Sequence, residues 1–251
     1  MVTYPKAVKS AVDGVSLTIN RNESLGLVGG SGCGKSTLAR AILGLEPLTA
    51  GRISINGHGV TTGADMAAEA RASMQVVFQD PFGSFNPRHK VGTLIAEPFY
   101  LTDHDASDRT HAIEEALEDV GLHPHDQHKY IHEFSGGQRQ RLAIARALMI
   151  KPQLIILDEA VSALDTSIKG QILALLARLQ DKHHLSYLFI SHDLSVVNAI
   201  TDRVMVMDQG KIVEQGLTRD VMASPQHPFT QTLMAAIPHI PQPWLNAAAE
   251  I

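Results

Sequence analysis

A single cysteine, Cys33, stands in a chain of 251 residues. No internal disulfide can form, and the usage fits a reducing compartment. No uninterrupted apolar run approaches the ~20 residues that span a bilayer. Met1–Val12 holds no apolar stretch of signal-peptide length. An action at a membrane would therefore pass through something already embedded there. Basic excess is missing too: the formal net charge is -5. A general nucleic-acid binder needs a basic face to neutralise phosphates, so no nucleic-acid partner is expected. There is no internal repeat and no low-complexity tract.

What is present reads as strands alternating with helices, an α/β core with a largely parallel sheet. Ala11–Ile19 alternates apolar and polar residues as a half-buried strand does. Leu25–Val28 is a short apolar run that enters a glycine cluster, and Leu38, Ile42 and Leu45 then recur at helical spacing. Arg52–Ile55 ends at Asn56-Gly57, a hairpin signal, and Gln75–Phe78 is a further strand. The stretch from about Phe82 to Glu133 carries prolines, six histidines between His104 and His132, and one helical run, His111–Val120. It is read as a mostly helical subdomain inserted into the core. Leu154–Leu157 is apolar throughout, the pattern of a central parallel strand. Ile168, Ile172, Leu175, Leu176 and Leu179 mark an amphipathic helix. Leu185–Ile190 is another core strand, and Val204–Met207 with Lys211–Glu214 flank a turn at Gln209-Gly210. From Ser224 the chain is proline-rich and reads as a tail.

Residues 29–36 read GGSGCGKS and fit G-x-x-x-x-G-K-[ST] at Gly29, Gly34, Lys35 and Ser36. A strand precedes them and a helix follows from Thr37. Glycines let backbone amides turn inward around phosphate oxygens, and a helix N-terminus adds positive potential. Lys35 would reach the β- and γ-phosphates, and the Ser36 hydroxyl would ligate Mg²⁺. Gly30, Ser31, Gly32, Cys33 and Thr37 complete the candidate nucleotide loop. On this motif alone kinases, GTPases and many ATPases stay open. At Ser135 a helix begins and Gln138 lies three residues on, the spacing of a capping box. Gly136 and Gly137 leave that N-terminus open to an anion.

Residues 134–140, FSGGQRQ, resemble the signature sequence of ABC (ATP-binding cassette) proteins, with Phe134 in place of leucine. LIILDE at 154–159 resembles the Walker B strand, SALD at 162–165 the D-loop, and SHD at 191–193 the switch segment. Gln79, after the strand ending at Phe78, is similar to the Q-loop glutamine. The resemblance runs from about Ala11 to Pro238. It implies ATP with Mg²⁺ as cofactors, and a P-loop core with a mixed sheet, an inserted helical subdomain and an N-terminal antiparallel β subdomain. It implies Glu159 as the carboxylate that polarises the attacking water, with His192 and Gln79 beside the γ-phosphate. Ser36, Gln79 and Asp158 would surround the metal, Asp158 through water. Ser135, Gly136, Gly137, Gln138 and Asp165 would meet nucleotide across a head-to-tail pair, and Tyr4 would stack on adenine. The family usually opens with another strand before that aromatic, and here only Met1–Thr3 precede it.

QDPFGSFNPR at 79–88, EAVSALD at 159–165 and SPQHPFTQTLMAAIP at 224–238 are similar to segments of ATPases that power oligopeptide, dipeptide and nickel importers. That resemblance implies a second, different ATPase chain as partner, two membrane permeases, and an extracytoplasmic binding protein acting indirectly. It implies a peripheral position on the cytoplasmic side of the cell membrane. The other reading is a soluble, non-transport ABC ATPase acting as a nucleotide-driven clamp, which would carry a coiled-coil insertion or two cassettes. His123, His125, His128 and His132 cluster in sequence, but polar surface histidines on a helical subdomain need no metal. The expected layout is an ATPase domain over 1–223, with the helical part at about 82–150, and a tail over 224–251. The tail supplies none of the proposed ligands, so its removal is expected to spare nucleotide binding.

Overall fold

The computed structural model describes residues 1–4, 9–80, 83–101 and 106–236. Strand β1 (Ser24–Gly29) runs into the glycine cluster and helix α1 (Lys35–Ile42) leaves it. A small antiparallel hairpin follows, β2 (Ser54–Ile55) and β3 (His58–Gly59). It turns at Asn56 and Gly57 with φ of 49° and 83°. Positive φ at both central residues is what an Asn-Gly turn tolerates. Helix α2 (Ala68–Ala72) leads into β4 (Met74–Phe78). Three helices then run before the next strand: α3 (Val91–Ile95), α4 (Ala106–Asp119) and α5 (Gly136–Leu148). The rest alternates: β5 (Leu154–Asp158), α6 (Thr166–His183), β6 (Ser186–Ser191), α7 (Leu194–Ile200) and β7 (Arg203–Asp208). After β8 (Lys211–Leu217) come α8 (Thr218–Ala223) and α9 (Pro228–Ala235).

Six strands form one sheet in the order β4-β5-β6-β1-β7-β8. Every neighbouring pair is parallel except β7 and β8, which join as an antiparallel hairpin through Gln209-Gly210. The apolar character of β5 and β6 follows from burial on both faces. Ile155, Leu157, Tyr187 and Phe189 enter the core under α3–α7. Their neighbours Leu154, Ile156, Leu188 and Ile190 point the other way, toward Leu38 and Ile42 of α1. This is the two-residue period of a pleated strand. Each fully buried large apolar side chain contributes about 1.5–3 kcal/mol. Tyr187 keeps its buried hydroxyl satisfied by donating to the Leu176 carbonyl at 3.0 Å, and burial pushes its pKa up.

The structure gives three expectations their detail. Val15, Leu17 and Ile19 are half-buried against the α1 side of the core while Ser16 and Thr18 are exposed. The alternation thus assigns the faces correctly, but among the described residues only Val12 pairs, with Val2. Antiparallel pairing at this end is otherwise the β2–β3 hairpin. The helical stretch is inserted between β4 and β5 as expected, and its Phe85, Leu94, Phe99 and Leu117 belong to the same buried cluster as the sheet residues Ile155 and Phe189. Finally, the proline-rich segment from Ser224 folds as far as Ala236. Pro228 opens α9 at its first turn and the His227 ring caps it. Proline is tolerated there because the first helical amide has no partner to lose.

Candidate active site

A parallel sheet sends all its strands out at one edge, where α/β proteins collect ligands. Here Phe78 pairs with Asp158, Asp158 with Ile190, and Val28 with Ser191. Gln79, the Asp158–Glu159 pair, the Ser191–His192 pair and Gly29 therefore leave the sheet side by side.

The glycine loop is shaped by its neighbours' backbones. A Cβ on Gly29 would lie 2.1 Å from the Met207 carbonyl oxygen of β7. One on Gly34, whose φ is 111°, would lie 2.2 Å from the Ala11 carbonyl oxygen. Gly30 is different: among the described residues a Cβ there would meet only Phe229 Cζ, at an ordinary 3.8 Å. Gly29→Ala is therefore expected to destabilise the chain by about 3 kcal/mol, and Gly30→Ala by less than about 0.5 kcal/mol. Denaturant unfolding of both variants measures the contrast, and equal losses would show that β7 does not press on the loop.

Lys35 is buried, and its ammonium donates to the carbonyls of Gly29 and Gly30, both at 2.9 Å. Cys33 Sγ lies 3.8 Å from the same nitrogen. These contacts satisfy a charge that burial would otherwise make costly. No side chain caps α1, so its first-turn amides stay open to an anion. Ser31, Gly32 and Ser36 are exposed along the loop. The Tyr4 hydroxyl lies 3.2 Å from Thr37 Oγ1, with the ring exposed.

The acids follow on β5. Burial, then the neighbouring Glu159 charge, push the Asp158 carboxyl above its usual range; the Ser36 hydroxyl and the charges of Lys35 and Arg40 oppose this. Its buried Oδ1 has no hydrogen-bond partner among the described residues. An orphaned buried carboxylate oxygen beside a hydroxyl suits a hydrated cation, so these residues fit Mg²⁺. Glu159 has φ of 51°, left-handed for a non-glycine residue. Its amide donates to the Ile190 carbonyl at 2.9 Å and its carbonyl accepts from Ser162 Oγ at 2.9 Å. This turn carries Glu159 Oε1 to 3.3 Å from His192 Nδ1. Both groups are too solvated for the contact to contribute much stability. Next to it, Asp193 caps α7 through the amides of Ser195 and Val196 and meets Lys169 at 3.2 Å. Burial raises its pKa, but the Ser195 and Lys169 contacts outweigh that and the net shift is downward.

Residues 12–162 match the family model described as ABC transporter. The chain belongs to the ABC transporter family. It is similar to the dipeptide transport ATP-binding protein DppF of Haemophilus influenzae, 46% identical over 94% of this chain and 72% of that protein. It is likewise similar to the oligopeptide transport ATP-binding protein OppF of Salmonella typhimurium, 49% identical over 98% of this chain and 74% of that one. Among solved structures it resembles cbiO1 of Clostridium perfringens, part of the ABC transporter complex cbiONQ. The TM-score is 0.81 at 26% identity, over 100% of this chain and 96% of that one. The ATP-binding cassette MJ0796, a dimer bound to ADP and Pi, aligns with a TM-score of 0.73 at 25% identity, over 86% of this chain and 94% of that one. The fold is that of ABC ATPases, and the chain is an ATP-hydrolysing member of the family.

Within this ABC ATPase the signature segment stands apart from the phosphate loop. Ser135 Oγ accepts from the Gln138 amide at 3.4 Å, and Gln138 Oε1 accepts from the Ser135 amide at 3.0 Å, so the capping box forms. Gly137 packs on Ile168, whereas a Cβ on Gly136 would meet nothing within 4 Å. Among the described residues no hydrogen bond or ion pair joins Ser135–Gln138 to residues 29–37. Asp165 is exposed at the start of α6, and its side chain makes no cap bond. No helix is long and apolar enough to cross a membrane, among the described residues.

The histidines after α4 pack locally. His123 Nδ1 accepts from the His125 amide at 3.1 Å, and the Tyr130 and His132 rings stack. Among the described residues no group of three or more His, Cys, Asp or Glu side chains gathers at metal-binding distance. A cavity of about 790 Å³ lies away from the chemistry, lined by Leu17, Ile19, Ile42, Ile53 and Met74. It collects none of the candidate residues, so geometry rather than cavity size locates the site. Sequence reasoning missed the Lys169 contact to Asp193 and the approach of Phe229 to Gly30. The first has no local signal; the second was hidden by reading its segment as a tail.

Proposed function

We propose that this chain is the ATPase subunit of a peptide importer. It pairs head to tail with a second, different ATPase chain, under two permeases on the cytoplasmic side of the membrane. The observation that carries the reading is the near full-length similarity to dipeptide and oligopeptide transport ATP-binding proteins. The open face at Gly136 supports a partner at the signature segment. An extracytoplasmic binding protein would deliver the peptide.

The triphosphate lies along the amides of residues 30–37, with Lys35 turning from the loop carbonyls to the β- and γ-phosphates, and Tyr4 against the adenine. Ser36, Gln79 and Asp158 would hold Mg²⁺, which supplies positive charge against the β- and γ-phosphate oxygens. Glu159 orients the attacking water and His192 contacts the γ-phosphate oxygens. Ser135–Gln138 of the partner chain close over the same phosphate, with Asp165 at the seam between the chains. Catalysis is then positioning and electrostatic stabilisation of an in-line transfer.

The test is ATP turnover in the assembled transporter. The reading expects stimulation by binding protein loaded with peptide and none by binding protein offered nickel. Stimulation by nickel alone would overturn the peptide assignment and leave the ATPase reading intact.

A further inference from the structure

Helix α9 joins two parts of the molecule that the reaction scheme does not connect. At its start, Glu214 of β8 accepts two successive backbone amides, Gln226 at 2.8 Å and His227 at 3.0 Å, one on each carboxylate oxygen. The His227 Nδ1 then accepts the Phe229 amide at 3.2 Å, and Pro228 sets the first turn. Thr230 is buried, and Phe229, Leu233 and Met234 pack against the large core. The helix is thus fixed at its N-terminal end by a strand carboxylate and along one side by apolar contact.

Phe229 is the residue of this helix that reaches the phosphate loop. Among the described residues its Cζ is the one neighbour that a Cβ on Gly30 would meet within 4 Å. The Gly30 carbonyl is one of the two that receive the Lys35 ammonium. The line of neighbours runs from Glu214 through the capped helix to the Phe229 ring, whose Cζ lies beside the open side of Gly30, and from the Gly30 carbonyl to Lys35.

We propose that Phe229, seated by the Glu214-anchored α9, is a positioning residue for the phosphate loop. It keeps Gly30 ordered so that nucleotide does not have to order it on binding. The inference rests on the reading of residues 29–37 as the nucleotide loop. Glycine has more backbone freedom to lose than any other residue, and fixing one residue's backbone is costly. Removing the ring transfers that cost to the binding step. This revises the expectation that removing the chain from Ser224 onward spares nucleotide binding: deletion takes away α9 and the Phe229 contact together.

The experiment compares Phe229→Ala, Phe229→Met and Leu233→Ala in the full chain, reading ATP affinity, KM, kcat and melting temperature without nucleotide. Phe229→Ala is expected to weaken ATP binding and raise KM by about fivefold or more, with kcat changed by less than about twofold. Phe229→Met keeps a long apolar side chain that can lie beside Gly30 and should recover most of the affinity. Leu233→Ala removes core packing on the same helix without touching Gly30, so it should lower the melting temperature and leave KM unchanged. If Phe229→Ala leaves affinity unchanged, the inference fails while the nucleotide loop stands. If Leu233→Ala raises KM as much as Phe229→Ala, the effect is general stability and the inference also fails. An unaltered chain that does not bind ATP would overturn both the inference and the loop assignment.

Discussion

Glu159→Gln is expected to bind ATP as the unaltered chain does, to hydrolyse it about 10²–10³-fold more slowly, and to accumulate as a closed, ATP-bound pair. The substitution keeps the shape of the side chain and removes its ability to act as a carboxylate toward water. The geometry gives the reason for choosing this position over Asp158. Asp158 is half-buried with an orphaned oxygen beside Ser36, which suits a cation. Glu159 is carried outward by its left-handed backbone and stands 3.3 Å from His192, which suits a water and a phosphate oxygen. Asp158→Asn should therefore lose metal-dependent affinity, whereas Glu159→Gln should lose turnover alone. Isothermal titration and single-turnover hydrolysis separate the two. Turnover within about tenfold of normal for Glu159→Gln would remove it from the chemical step.

Lys35→Ala is expected to weaken ATP binding by about 100-fold or more and to abolish measurable turnover. Lys35 is buried and satisfied by the Gly29 and Gly30 carbonyls, so it shapes the loop as well as facing the phosphates. Its loss leaves two carbonyls without their donor, at about 1–3 kcal/mol each where they stay dry. A modest fall in melting temperature should accompany the loss of binding. Equilibrium binding of ATP to the variant, with unfolding as the control for a folded chain, is the measurement. Normal affinity would place the phosphate site elsewhere.

The candidate site was largely legible because its chemistry constrains residue types at fixed spacing. Close backbone approach demands Gly29 and Gly34, and a buried cation at the loop demands a lysine with carbonyls to receive it. Strands β5 and β6 were legible because central parallel strands bury both faces. The order of the strands was not: nothing local to β1 says that β6 and β7 flank it. The segment 11–19 shows the limit of periodicity. Its alternation reports which residues face the core, but pairing depends on which strand lies beside it, and among the described residues only Val12 finds one. The α9 segment shows a different limit. Prolines at 225 and 228 read as breakers, yet Pro228 sits where a helix tolerates it, behind a capping His227. The anchor that makes this a helix is Glu214, twelve residues upstream of Gln226 and on another element.

In the proposed assembly one ATP site is completed by a second chain. The most direct measurement is ATP-dependent association of Glu159→Gln with its partner ATPase in the assembled transporter, with and without Ser135→Arg. An arginine at Ser135 puts bulk where a γ-phosphate must approach the open amides beside Gly136. Ser135→Arg is expected to leave ATP binding by the single chain unchanged and to block the association. Association and turnover that survive Ser135→Arg would contradict it, and Ser135 would then be a helix cap alone.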